Sequence, residues 1–172
     1  MIIWPDKALV MAVHDRQLAE HGGSTGLRDE SLLESALARP QQLMAYGDPE
    51  PDIADLAASL AFGLARNHPF VDGNKRTAYV SCRLFLKLNG VDLMAPPMER
   101  YQNFLAMAEA KIDLPEFTGW LTGEAPPGLA FELTSGSLGV SVEDHMDSVE
   151  ELDELCAAAA VIAARLRSAA HA

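Results

Sequence analysis

Apolar residues recur at three- and four-residue spacing over most of the chain up to about Glu124, and that period predicts helices. "PDKALVMAVHDRQLAEHGG" has Pro5 at a helix start and closes on a glycine pair. "RDESLLESALARP" sets Leu32, Leu33 and Leu37 on one side and is expected to stop before Pro40. "QQLMAYGDPEP" then reads as a loop, so Gln41 to Asp52 is expected at the surface, where substrate choice could lie. In "DIADLAASLAFGLARN", Ile53, Leu56, Leu60 and Leu64 mark one helix face and Asp52 is placed to cap the first turn. A long helix follows from about Gly73 to Asn89, ended by Gly90. "PMERYQNFLAMAEA" and "PEFTGWLTG" predict two more helices, each opened by proline. Period-2 alternation is scarce, so the expected fold class is all-α.

Composition changes near Glu124. "EAPPGLAFELTSGSLGVS" is rich in Pro, Gly and Ser and reads as a linker. After it, Ser148 and Glu151 form a capping box, acids crowd the first turns, and Arg165 and Arg167 close a helix with one apolar stripe. Two units are expected: a helical domain over 1–124, and a linker with an acidic amphipathic helix over 125–172. The net charge is −12. Residues 1–124 hold 17 acids and 11 bases and residues 125–172 hold 8 and 2, so each part carries −6.

That acidity argues against direct nucleic-acid binding, which needs clustered Lys and Arg. No apolar run reaches the length of a membrane span and no signal peptide precedes the first helix, so a cytoplasmic location is expected. Cys82 and Cys156 lie in helical patterns without metal-ligand spacing and are expected as reduced thiols.

One stretch departs from ordinary helix chemistry. In "RNHPFVDGNKRTAYVSCRLFLKLNG", Lys75 and Arg76 occupy the first turn of a long helix, facing the positive end of its macrodipole. That placement costs up to about 1 kcal/mol. A polyphosphate in the same place would reverse the sign. Asp72-Gly73-Asn74 is turn chemistry: a glycine free to turn left-handed lets several backbone N–H groups converge as an anion nest. Asp72 suits a magnesium ion bridging phosphate oxygens. His68, four residues upstream, has the chemistry of a general base toward an incoming hydroxyl. Together these are the parts of phosphoryl or nucleotidyl transfer. A plainer reading makes His68 a helix-ending core histidine, Asp72 an N-cap, and Lys75 and Arg76 a solvated first turn. Arg66 is either a further cleft cation or the partner of its own helix end. Arg83 shares a face with Arg76 and, with Lys87, either extends the basic lining or is solvated. His14 is expected buried with Asp15 in support; Trp4, Phe117 and Trp120 are expected in the core.

"HPFVDGNKRTA" resembles the signature of the Fic/Doc superfamily, specifically its death-on-curing (Doc) branch. "AVHDRQLAEHGGSTGLRDESLLESAL" and "FLKLNGVDL" extend the likeness over most of 1–124. The resemblance implies a compact helical bundle, here with an extra C-terminal helix. It also implies a toxin of a toxin–antitoxin pair: a kinase using ATP and Mg2+ to modify a threonine of translation elongation factor Tu, blocking translation. By position, His68 would be the general base and Asp72 the magnesium ligand. Asn74, Lys75 and Arg76 would hold phosphates, and Gly73 would permit the nest. AMP-transferring Fic proteins carry a glycine where Lys75 stands and an arginine where Tyr79 stands, so AMP transfer is the enzymatic alternative. A catalytically silent binding module is the other. The implied partner is a Phd-type antitoxin whose C-terminal helix covers a groove; the acidic 125–172 could take that place within the chain. The Glu-Gly or Glu-Asn element that restrains some Fic proteins is absent.

Overall fold

Helix starts in this protein are marked by acidic side chains or proline. In α1 (Lys7–His21), α2 (Glu30–Tyr46), α3 (Ile53–Asn67) and α6 (Leu114–Thr122), the carboxylates of Asp6, Asp29, Asp52 and Asp113 accept first-turn N–H groups. Such caps contribute about 1 kcal/mol each. Asp52 and Asp113 form reciprocal boxes with Asp55 and Glu116. In α5 (Pro97–Ala108), Pro97 holds the first position. The start of α4 (Asn74–Leu88) has neither device: Gly73 precedes it and no side chain caps it. The computed structural model describes residues 2–123, and among these the six helices are joined by loops, without a strand. Residues 125–172, including Cys156, lie outside the described residues.

The long apolar faces decide the packing. α3 lies against α2, α4, α5 and α6, and α1 against α4. In α4, 12 of the 15 residues are buried, so this helix runs through the core and exposes mainly its first turn. Tyr79, Phe104, Phe117 and Trp120 make an aromatic cluster, with Tyr79 edge-on to Phe104 at 4.7 Å and Phe104 edge-on to Phe117 at 4.8 Å. Phe117 and Trp120 are buried as expected, while Trp4 is half-buried and stacks on Phe85 at 5.5 Å. Ile3 and Asn89 exchange hydrogen bonds of 2.8 and 3.1 Å, so the start of the chain lies at the end of α4.

The expected stop before Pro40 is incorrect. α2 continues through Pro40 and takes in Gln41–Tyr46, which the sequence reading gave to a loop. Proline removes the donor for the Ala36 carbonyl and costs about 3 kcal/mol in a helix interior. Burial of Leu33, Ala36 and Pro40 outweighs that penalty. The two helix backbones meet closely at this point. A Cβ on Gly63 would lie 3.1 Å from Ala36 Cα and 3.3 Å from the Ala36 carbonyl oxygen. The α1 start is shifted too: Asp6 is the cap and Pro5 precedes it.

Candidate functional site

Loop 68–73 joins α3 to α4. His68 ends α3 in the left-handed region, at φ 50 and ψ 57, and its side chain is exposed. A non-glycine residue there stores strain of about 1 kcal/mol or more. Pro69 and Phe70 are buried and anchor the loop. Asn74 closes it: its Oδ1 accepts the Phe70 N–H at 2.9 Å and its Nδ2 donates to the Phe70 carbonyl at 2.9 Å. Gly73 takes φ 74, which glycine reaches without cost. The first intrahelical bond of α4 runs from the Thr77 N–H to the Gly73 carbonyl. The amides of Asn74, Lys75 and Arg76 therefore precede any helical acceptor and are left for an anion.

The α1–α2 connection forms a second wall. Leu27 pairs with Phe70 as an isolated antiparallel bridge, the Val71 N–H donates to the Gly26 carbonyl at 3.0 Å, and the Arg28 N–H donates to the Pro69 carbonyl at 2.7 Å. Ser24 donates its N–H to Asp72 Oδ2 at 3.2 Å, and Gly73 donates to Asp72 Oδ1 at 2.6 Å. The amides of Gly73 and Ser24, with lesser help from Arg76, hold the exposed Asp72 carboxyl below the usual aspartate range. Gly23 is required here: at φ 127, a Cβ would fall 2.6 Å from Asp72 Oδ2. From α1, buried His14 stacks on Phe70 and lies 3.1 Å from the Asp72 carbonyl through Nε2. A carbonyl only accepts, so Nε2 carries the proton. Nδ1 faces Asp15 Oδ1 at 3.5 Å, too far for a hydrogen bond.

Both first-turn cations are held. Arg76 donates to the Gly22 carbonyl at 3.1 Å. Lys75 Nζ is 3.0 Å from Glu109 Oε1, and Lys111 Nζ is 3.1 Å from Glu109 Oε2. Burial pushes the Glu109 carboxyl up, but hydrogen bonds and charge from Lys75 and Lys111 outweigh it and leave it below the usual glutamate range.

Several expected placements need correction. His68 is exposed, so it is not a core histidine, and Asp72 lies one residue before the N-cap. The side chain of Asn74 is spent on Phe70, leaving only its backbone N–H for phosphate. Arg83 neither lines the cleft nor is solvated: it is 2% exposed and reaches the Leu93 carbonyl at 3.3 Å and Asp92 at 3.4 Å. Lys87 also meets Asp92, at 3.2 Å. Seven residues do bring Arg83 back to the Arg76 face, but the α4–α5 connection covers that end of the helix. Arg66 is exposed and lies over the Phe62 ring at 5.6 Å. Sequence reasoning gave Gly22 and Gly23 only the end of the first helix, and assigned no part in the site to Gly22–Asp29 or to Glu109. The closely spaced glycines of "GGSTG" were the available signal for the first; nothing marked Glu109.

The donor set suits a magnesium-bound polyphosphate: an exposed acceptor-only carboxylate, amides at an uncapped helix start and the two first-turn cations Lys75 and Arg76. Among the described residues, no three His, Cys, Asp or Glu side chains gather. A divalent cation here would therefore rest on Asp72 and on phosphate oxygens. No helix among the described residues is long and apolar enough to cross a membrane.

A helical bundle with this glycine-led, cation-flanked helix start defines a class, and the family model described as the Fic/DOC family matches residues 4–86. Toxin Doc of Mycolicibacterium smegmatis is 42% identical over 106 residues, covering 60% of this chain and 82% of that protein. Protein kinase doc of Escherichia phage P1 is 36% identical over 88 residues, covering 51% of this chain and 69% of that protein. The chain belongs to the Fic/Doc family, in its Doc toxin branch.

Proposed function

We propose that this chain is a protein kinase toxin of the Doc type, dependent on ATP and magnesium, whose target is a hydroxyl of translation elongation factor Tu. The uncapped start of α4, with Gly73 left-handed and Lys75 and Arg76 on its first turn, carries the reading. The relative named Protein kinase doc supports the phosphotransferase class. Lys75 stands where AMP-transferring Fic proteins have glycine. Tyr79, where they have arginine, is buried against Phe104, so that position supplies no cation.

Bound magnesium-ATP would supply a transferable phosphoryl group with part of its charge already neutralised. The amides of Asn74, Lys75 and Arg76 bind and orient phosphate oxygens, and the side chains of Lys75 and Arg76 add positive charge. Asp72, fixed by Gly73 and Ser24, offers a carboxylate oxygen to the metal. His68, exposed at the rim, takes the proton of the target hydroxyl. A Phd-type antitoxin is the expected restraining partner. The segment 125–172, a separate unit in this reading, could act as a built-in one: its deletion should then increase toxicity in growing bacteria.

ATP labelled at the γ- or α-phosphate tests the assignment on purified elongation factor Tu and on a bacterial lysate. Label from the γ position, lost in His68→Ala, is expected. Label from the α position means AMP transfer. Absence of label with full toxicity in His68→Ala would show a silent binding module.

A further inference from the structure

We propose that Glu109 is a positioning residue for Lys75: it stations the ammonium beside the α4 N-terminus and releases it only in exchange for phosphate. The inference rests on reading that terminus as the phosphate site.

Lys75 is a flexible cation in the first turn, repelled by the helix dipole and by Arg76. Glu109 offsets this repulsion from a fixed point. It follows α5, and its N–H donates to the Leu105 carbonyl at 2.9 Å. The next residues close a tight helix-ending turn, with Lys111 N–H to the Ala106 carbonyl at 2.8 Å and Ala110 N–H to the Met107 carbonyl at 3.1 Å. Ala110 takes φ 59, a conformation usually left to glycine. This turn brings Lys111 back onto the carboxylate that holds Lys75.

Sharing makes the exchange inexpensive. When Lys75 moves to a phosphate, Glu109 keeps Lys111 on its other oxygen. No carboxylate is abandoned, so Lys75 leaves more readily than from an isolated pair. The same carboxylate competes with every phosphate that arrives. Glu109 therefore limits nucleotide affinity through Lys75, at a position that separates this site from the glycine-bearing AMP-transfer sites.

Equilibrium binding of magnesium-ATP to the full chain tests this with Glu109→Gln, Lys75→Ala and the double variant. Glu109→Gln should bind about 2- to 5-fold tighter, as expected for losing one half-exposed competing ion pair. Lys75→Ala should bind more weakly, and adding Glu109→Gln to it should change nothing. Unchanged or weaker binding by Glu109→Gln overturns the proposal while leaving the phosphate site standing. Tightening that persists without Lys75 also overturns it, because the effect then bypasses the ammonium. If wild type fails to bind ATP, the site reading beneath it falls as well. A thermal melt of each variant separates these outcomes from loss of fold.

Discussion

The imidazole of His14 lies nearly parallel to the ring of Phe70, with 3.9 Å between centroids and 10° between planes, and points Nε2 at the Asp72 carbonyl. One α1 side chain thus touches both the anchor and the exposed end of the α3–α4 loop. His14→Phe keeps the stack and loses the tether, and should cost about 1 kcal/mol. His14→Ala loses both and should cost about 2 kcal/mol more, since it also leaves a buried void. Urea denaturation of the two variants measures the difference; equal losses would show that the stack contributes nothing.

Asn74→Ala should be more damaging than its place in a polar motif suggests. It leaves the N–H and carbonyl of buried Phe70 without their partners, for a loss of about 2–4 kcal/mol. Transfer activity should fall with it, because the loop carries His68 and Asp72. A variant stable as wild type would refute this clamp.

Asp72 gives a pH signature. Its folded pKa lies below the ordinary aspartate value of about 3.9. The native state therefore gains stability from its charged form above the unfolded value and loses it as pH falls through the folded value. The acid limb of the stability curve should be shallower in Asp72→Asn. The difference from wild type should close below the folded pKa. The carboxylate is exposed, so the effect is small, and parallel acid limbs would contradict the hydrogen bonding described.

Gly63→Val should destabilise by about 1–3 kcal/mol, although valine is the better helix former. The added atoms meet Ala36 backbone, which cannot rotate aside as a side chain would. A melting temperature at or above wild type would mean that α2 and α3 separate easily.

His68→Ala should lower transfer by about 10²–10⁴-fold, the usual effect of losing a general base. Stability should stay within about 1 kcal/mol, since the exposed ring supports no core contact. Thermal denaturation and γ-label transfer, measured on one preparation, check both halves.

Local chemistry was legible wherever one residue decides it. The aspartate at 52 announces its helix cap, Gly73 its left-handed turn, and Leu56, Leu60 and Leu64 their buried face. Pro40 misled because a local rule met a tertiary contact: the helix packing at Ala36 and Gly63 outweighs the missing hydrogen bond. Arg83 misled for a related reason. Helical spacing gives the face a residue shares with its neighbours, but not what covers that face farther along. The engagement of the Asn74 side chain with Phe70 was not legible, since that choice of partner depends on where the loop folds. The Lys75–Glu109 pair joins positions 34 residues apart, and no period or motif connects them.

The left-handed backbone of His68 has a bearing on inheritance. Asparagine accepts that conformation at least as readily as histidine, and its codons differ from those of histidine by a single nucleotide. On the proposed reading of His68 as general base, one point change would yield an inactive chain that keeps this backbone turn. If that reading holds, bacterial populations under selection against the activity should accumulate such intact but inactive copies.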